Sequence, residues 1–451
     1  MDDELLENKL DDFDAGTRLE ALRLLKEKAD ADRTHPCQKT DFINLHCHTF
    51  FSFNAFGYSP SHIAWRAFKE GLEVAGIVDF DVLDGVEEIL EAGEILGLKT
   101  VAGIETRVFV KEYSDKVINS PKEPGVFYFM GTGFYKRLIL GLGSDETLTG
   151  LTRIARDRNL AMLERINNFL RDVQIVYETD VLPLTPGGNA TERHILVALD
   201  NKAKEIFDNS EALITFWAEK LGVEREKIAS ILNSPPELQG LIRSKLMKSG
   251  GIGYVKPEKG SFPALEEIIE MIKDCDALPT ATWLDGTNEG EREPKELLRF
   301  LIEKGSVLLN IIPDRNWNIK DAEEKKIKVR NLDEVIKVAQ ELNLPIIVGT
   351  EMNKYGQKFV DDFTVPELAA HLDYFRQGAF FVYGHTRMAK SLNKGYHSDW
   401  AKRYLPERGN RNRFYTEVGQ SVGLGYDYEN LKRISYDRVS PDEILRLIKG
   451  G

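Results

Sequence analysis

Eight short apolar runs, most of them followed by a helix pattern, constrain the fold of this chain more than any other feature. They are Phe42–His48, Val74–Phe80, Thr100–Glu105, Val126–Gly131, Leu278–Leu284, Val307–Ile312, Ile346–Glu351 and Ala379–Gly384. The helix patterns that follow them are His62–Glu70, Val86–Leu96, Lys295–Lys304, Leu332–Leu342 and Val365–Phe375. Strands apolar on both faces, alternating with helices, make a parallel sheet covered by helices. The number of repeats favours a closed (β/α) barrel over an open sheet. Between residues 150 and 275 the alternation stops. Leu151–Val173, Arg193–Phe207, Glu211–Lys220, Arg225–Leu232 and Leu238–Lys248 all read as helices, with no strong strand among them. A helical insertion between barrel strands is a usual source of a cap over an active site. The expected order is a helical arm (1–40), barrel (41–150), cap (151–275), barrel (276–400) and a mixed tail (401–451) ending in a helix at Pro441–Ile448. In the arm, Leu19, Leu22, Leu24 and Leu25 recur at helical spacing, and the helix should end before His35-Pro36.

Composition excludes several functions. A chain of 451 residues, 42% hydrophobic and 29% charged, buries a large core and is neither disordered nor fibrous. Its net charge of −13 argues against general nucleic-acid binding, which wants a basic face. A small phosphorylated substrate is still compatible, because a metal or a few local arginines suffice to hold it. Cys37, Cys47 and Cys275 are few, scattered and odd in number, so no disulfide framework is expected and a reducing cytoplasm fits. The acidic start, Met-Asp-Asp-Glu, lacks a basic-then-apolar signal pattern, and no apolar run approaches the roughly 20 residues of a membrane span.

The chemistry gathers at the ends of the runs, where (β/α) barrels carry their active sites. His46 and His48 are two apart on a strand, so both imidazoles leave the same face, as two ligands of one metal must. Taken alone, this pair also fits a half-buried strand with structural histidines. Other run ends add Asp79-Phe80-Asp81, Glu105, Asp285, Asp314-Arg315-Asn316, Glu351-Met-Asn353 and His385. Two histidines converging with several carboxylates point to a metal-dependent hydrolase.

These stretches resemble the PHP (polymerase and histidinol phosphatase) family. His46-Cys-His48-Thr is similar to its H-x-H motif, and Ile77-Val-Asp79-Phe80-Asp81-Val-Leu83-Asp-Gly85 to T-D-H-D-x-L-x-G. Gly103-Ile104-Glu105 matches G-I-E, and Val348-Gly349-Thr350-Glu351-Met352-Asn353 looks like G-S-D-x-H. Gly250-Gly251-Ile-Gly-Tyr254-Val255, with the helix and strand after it, resembles the approach to A-H-P. In order, the likeness covers residues 41–390, cap included. It implies a distorted (β/α) barrel of PHP type and phosphoester hydrolysis at a cluster of three metals.

The departures from the family are as informative. The ligand expected after H-x-H falls near Phe53 and Asn54. Phe80, Tyr128, Thr282 and Asn353 stand where the family's other histidines would be. The resemblance then implies that His46, His48, Glu105 and Glu351 keep one divalent ion, zinc, manganese or iron, while the other two are lost. Asp79 becomes an orienting group or general base. Arg193-His194 resembles the R-P-H segment that reaches from the cap toward substrate. Arg315 could clamp an anion by bidentate contacts, and His385 and Asn353 are further substrate-binding candidates. The alternatives are a solvated histidine at 194, a surface loop at 315 and an ordinary loop histidine at 385. The alternative for the whole protein is a degenerate barrel that binds a ligand or scaffolds an assembly.

Overall fold

The computed structural model describes residues 2–31, 38–136, 143–254, 256, 261–423, 425–426, 428–432 and 438–450. The expectations placed on His35-Pro36, Cys37 and Val255 lie outside these residues. Seven strands form one sheet in chain order: β1 (Ile43–Cys47), β2 (Val74–Phe80), β3 (Lys99–Phe109), β4 (Val126–Thr132), β5 (Leu278–Trp283), β6 (Leu308–Ile311) and β7 (Ile346–Val348). All neighbours run parallel except β4, which is antiparallel to both β3 and β5. The sheet curls until its edges meet. Cys47 bridges Glu351 in parallel, the His48 amide donates to the Glu351 carbonyl at 2.8 Å, and the Glu351 amide donates to the His46 carbonyl at 2.7 Å. The result is a distorted (β/α) barrel of seven strands. Every residue of β1, β5, β6 and β7 is buried, as strands covered on both faces require.

One expected strand is a helix. Ala379–Gly384 lies inside Leu372–Leu392, a helix of 21 residues. Every residue from Gly378 to Thr386 is buried, and the helix packs against β1, β3, β7 and the helix Arg408–Ser421. Burial on all sides erases the helical period, so the apolar run looked like a strand. Gly384 makes the tight helix crossing possible, since a Cβ there would lie 1.9 Å from the Tyr415 carbonyl oxygen.

The N-terminal arm is two helices, Asp3–Lys9 and Ala15–Ala31. A buried ion pair ties it down. Arg18 Nε donates to Glu88 Oε1 at 2.9 Å and Arg18 Nη2 donates to Glu88 Oε2, while Ser61 donates to Glu88 from both its amide and its hydroxyl. The helix Pro60–Lys69, which follows the H-x-H loop, is capped by Ser59, whose Oγ accepts from the His62 amide.

Residues 50–53 and 149–262 form a second compact unit, separate from the barrel unit of 1–49, 54–148 and 263–451. Its helices include Ser144–Leu170, Glu192–Ile206, Ser210–Leu221, Arg225–Ile231 and Pro235–Ile242, the first of which starts in the barrel unit. Ile166, Leu170, Ile195, Leu199, Trp217 and Leu238 centre its core. The helix Leu265–Asp274 belongs instead to the barrel unit, packed on β3, β4 and β5. Among the described residues, no helix is long and apolar enough to cross a membrane.

Candidate metal centre

β1 ends in His46 and Cys47, and His48 follows directly, so the two rings emerge on one side of the chain. β3 brings Glu105 opposite Phe80 of β2. Three atoms converge there: Glu105 Oε2 lies 3.5 Å from His46 Nε2 and 3.3 Å from His48 Nε2. The three ligand atoms all fall within 4.8 Å of one another, in side chains no more than 6% exposed. Ligands about 2 Å from a tetrahedral ion stand roughly 3.3 Å apart, close to the spacing found. His46 Nε2 and Glu105 Oε2 are buried and make no well-formed hydrogen bond among the described residues. Buried polar atoms of that kind call for an explanation, and a shared cation supplies one.

Neighbouring groups prepare the ligands. His46 Nδ1 lies 3.2 Å from Asn310 Oδ1. With the amide oxygen accepting, the proton sits on Nδ1 and Nε2 presents its lone pair to the site. Gly349 leaves room for this ring, since a Cβ there would lie 2.5 Å from His46 Cβ. Asp79 accepts from the Thr49 amide (2.8 Å) and the Thr49 hydroxyl (2.7 Å), which fixes the turn just after His48. Phe80 stacks on His48, with centroids 4.2 Å apart and planes 20° from parallel.

Electrostatics agree with this geometry. Burial pulls the His46 pKa down, but the adjacent Glu105 carboxylate, helped by Glu351 and Asn310, carries it above the ordinary histidine value. Burial pushes Glu105 up, yet His46 and His48 outweigh it and bring the carboxyl to about 2. Glu105 is therefore ionised at any working pH.

The remaining expected site residues fall in different places. Glu351 follows β7, and its carboxylate turns to Arg315, which donates from Nη2 to Oε1 and Oε2 at 2.7 Å each. Asn353 is half-buried in the loop after Glu351. His385 ends no strand. It sits inside the helix Leu372–Leu392 with Nε2 on the Asp276 carbonyl (3.0 Å) and Nδ1 accepting from the Tyr396 amide (3.0 Å), so both ring nitrogens are committed to backbone. Arg193 and His194 belong to the second unit. There His194 Nδ1 accepts from the Thr191 amide in a capping box, burial holds the ring near a pKa of about 4, and its edge meets Phe53. The positions where the family's other histidines would stand are built into the barrel: Thr282 donates to the Tyr128 carbonyl and accepts from Asn119.

Two residues of the site have no role assigned from the sequence, Asn310 and Thr49. Asn310 carried a readable signal, as the one polar residue within the apolar run Val307–Ile312. Thr49 carried none.

No protein-family model matches the chain. Over 109 residues it is 32% identical to an error-prone DNA polymerase from Cutibacterium acnes, a match covering 24% of this chain and 10% of that protein. The chain thus spans only about a tenth of that relative's length. Among solved structures, an amidohydrolase from Chromobacterium violaceum with bound sulfate and no metal aligns at a TM-score of 0.49 and 13% identity, covering 73% of this chain and 95% of that one. A second, whose description proposes a metal-dependent phosphoesterase from Bifidobacterium adolescentis, aligns at 0.46 and 19%, again covering 73% and 95%.

Proposed function

We propose that the chain is a metal-dependent hydrolase of PHP type that cleaves a small phosphoester. The observation carrying this reading is the buried meeting of His46 Nε2, His48 Nε2 and Glu105 Oε2 at the strand ends of a (β/α) barrel. The match to a DNA polymerase fits a family named in part for polymerases. His46, His48 and Glu105 would hold one zinc, manganese or iron ion per chain, while the Glu351 carboxylate faces Arg315. An ion there would lower the pKa of a water toward neutrality and polarise the substrate.

The chain's own groups then have separate tasks. Asn310 keeps the proton on His46 Nδ1. Glu105 supplies fixed negative charge. Asp79 was open between orienting group and general base; its two bonds to Thr49 favour orientation, since each carboxylate oxygen already holds a donor. Asn353 remains a candidate for the substrate side.

The test is a panel of small phosphoesters assayed with and without added zinc, manganese or iron. Turnover that depends on the ion and vanishes in His48→Ala supports the reading; turnover that ignores both refutes it. One observation favours a second reading, a barrel that binds a ligand without catalysis. Phe80 lies flat on His48 where the family places another imidazole, leaving no ligand there for a second ion. In that case no ion restores turnover on any member of the panel.

A further inference from the structure

Glu351 and Arg315 do not behave as a metal ligand and a loop arginine. The Glu351 backbone is left-handed, at φ 62°, as is Met352 after it at φ 57°. Such a conformation is unfavourable for side chains of this size and persists where the surroundings impose it. Here the barrel seam imposes it, through the Cys47 bridge and the amide bond to the His46 carbonyl. The carboxylate is thereby aimed at Arg315, and Gln357 Nε2 adds a donor to Oε2 at 3.2 Å. The carboxylate is buried, at 10% exposure, whereas the arginine side chain is 44% exposed.

One guanidinium nitrogen is thus engaged with the anchor. Nε and Nη1 make no hydrogen bond among the described residues and remain available. The short helix Asp314–Trp317, which carries Arg315, follows β6, the strand that supplies Asn310 to His46. Glu105 is close enough for its charge to act on this guanidinium.

We infer that Arg315, anchored by Glu351, is the second cation of this site: it binds an anionic oxygen of a tetrahedral oxyanion such as phosphate, the task a second metal ion performs in two-metal hydrolases. This assignment rests on the hydrolase reading above and deepens it. It also makes Glu351 the anchor of the arginine, so that His46, His48 and Glu105 would be the residues holding the ion. A planar guanidinium suits the role, because it offers paired donors to phosphate and never loses its charge.

Calorimetry with two probes, inorganic phosphate and zinc alone, tests the assignment on the full chain. Arg315→Gln should weaken phosphate binding on the order of tenfold or more, as expected for lost charge-assisted hydrogen bonds. Arg315→Lys, which keeps the charge without the fork, should fall between. Zinc affinity should not fall in Arg315→Gln, and Glu351→Gln should change it by less than about threefold, since the carboxylate is not a ligand in this account. A thermal melt confirms that each variant is folded, and Arg315→Lys replaces Arg315→Gln if the latter is not. Phosphate affinity indifferent to Arg315→Gln and Arg315→Lys, or phosphate that does not bind the wild type, overturns the assignment. So does a zinc affinity that collapses in Glu351→Gln. Failure of the hydrolase reading looks different: no added ion would support turnover on the phosphoester panel, while the phosphate titrations would still report on Arg315.

Discussion

Asn310→Ala isolates what the second layer of the site contributes. Asn310 is 2% exposed, and its Oδ1 is the acceptor at 3.2 Å that keeps the proton on His46 Nδ1. Without it the ring has a competing state. The proton moves to Nε2 and points at Glu105 Oε2, 3.5 Å away, which blocks the lone pair a cation needs. Metal binding must then reverse that tautomer and leave Nδ1–H buried without a partner. An unsatisfied buried donor costs about 1–3 kcal/mol, equivalent to roughly 5- to 160-fold in affinity. Loss of the group that orients a metal-bound histidine falls in the same range of about 10- to 100-fold. Zinc titration of folded Asn310→Ala should show that loss, and Asn310→Asp, which restores an acceptor, should recover most of it. A folded Asn310→Ala that binds zinc as tightly as the wild type would refute the role given to His46 Nε2.

Further outcomes follow from other parts of the structure. In the metal-free protein the raised His46 pKa contributes stability below the unfolded value of 6.5 that is lost as pH rises through the higher folded value. The depressed Glu105 contributes stability above 4.5 that is lost as pH falls toward about 2, so urea melts should show this pair's contribution at its largest between these limits. Zinc affinity should fall from a pH above 6.5 downward, because a protonated His46 cannot bind it. Arg18→Ala strands the buried Glu88 and should lower unfolding free energy by about 3–5 kcal/mol in urea, with metal affinity unchanged. His385→Ala should lower the melting temperature without weakening zinc binding, since its ring nitrogens serve the backbone.

Much of this was legible before any coordinates. Strands β1–β7 announce themselves as apolar runs, most of them closed by polar ends, and period two alone places His46 and His48 together. Glu105 could be set beside them because barrel strands share one functional end. The failures have physical causes. Ala379–Gly384 is a helix wrapped on every side, so its apolar run carried no helical period, and His385 went astray with it. The pairing of Glu351 with Arg315, 36 residues earlier, depends on a left-handed backbone set by the barrel seam, which no local pattern encodes.

The central claim is that His46, His48 and Glu105 form a site for one metal ion, and elemental analysis tests it most directly. Protein purified without a metal-affinity tag, from cells grown with zinc, manganese and iron, should carry close to one equivalent of transition metal per chain. His46→Ala and Glu105→Gln, folded by circular dichroism, should each carry almost none. Two or three equivalents in the wild type, or none after dialysis against any of the three metals, would contradict the account.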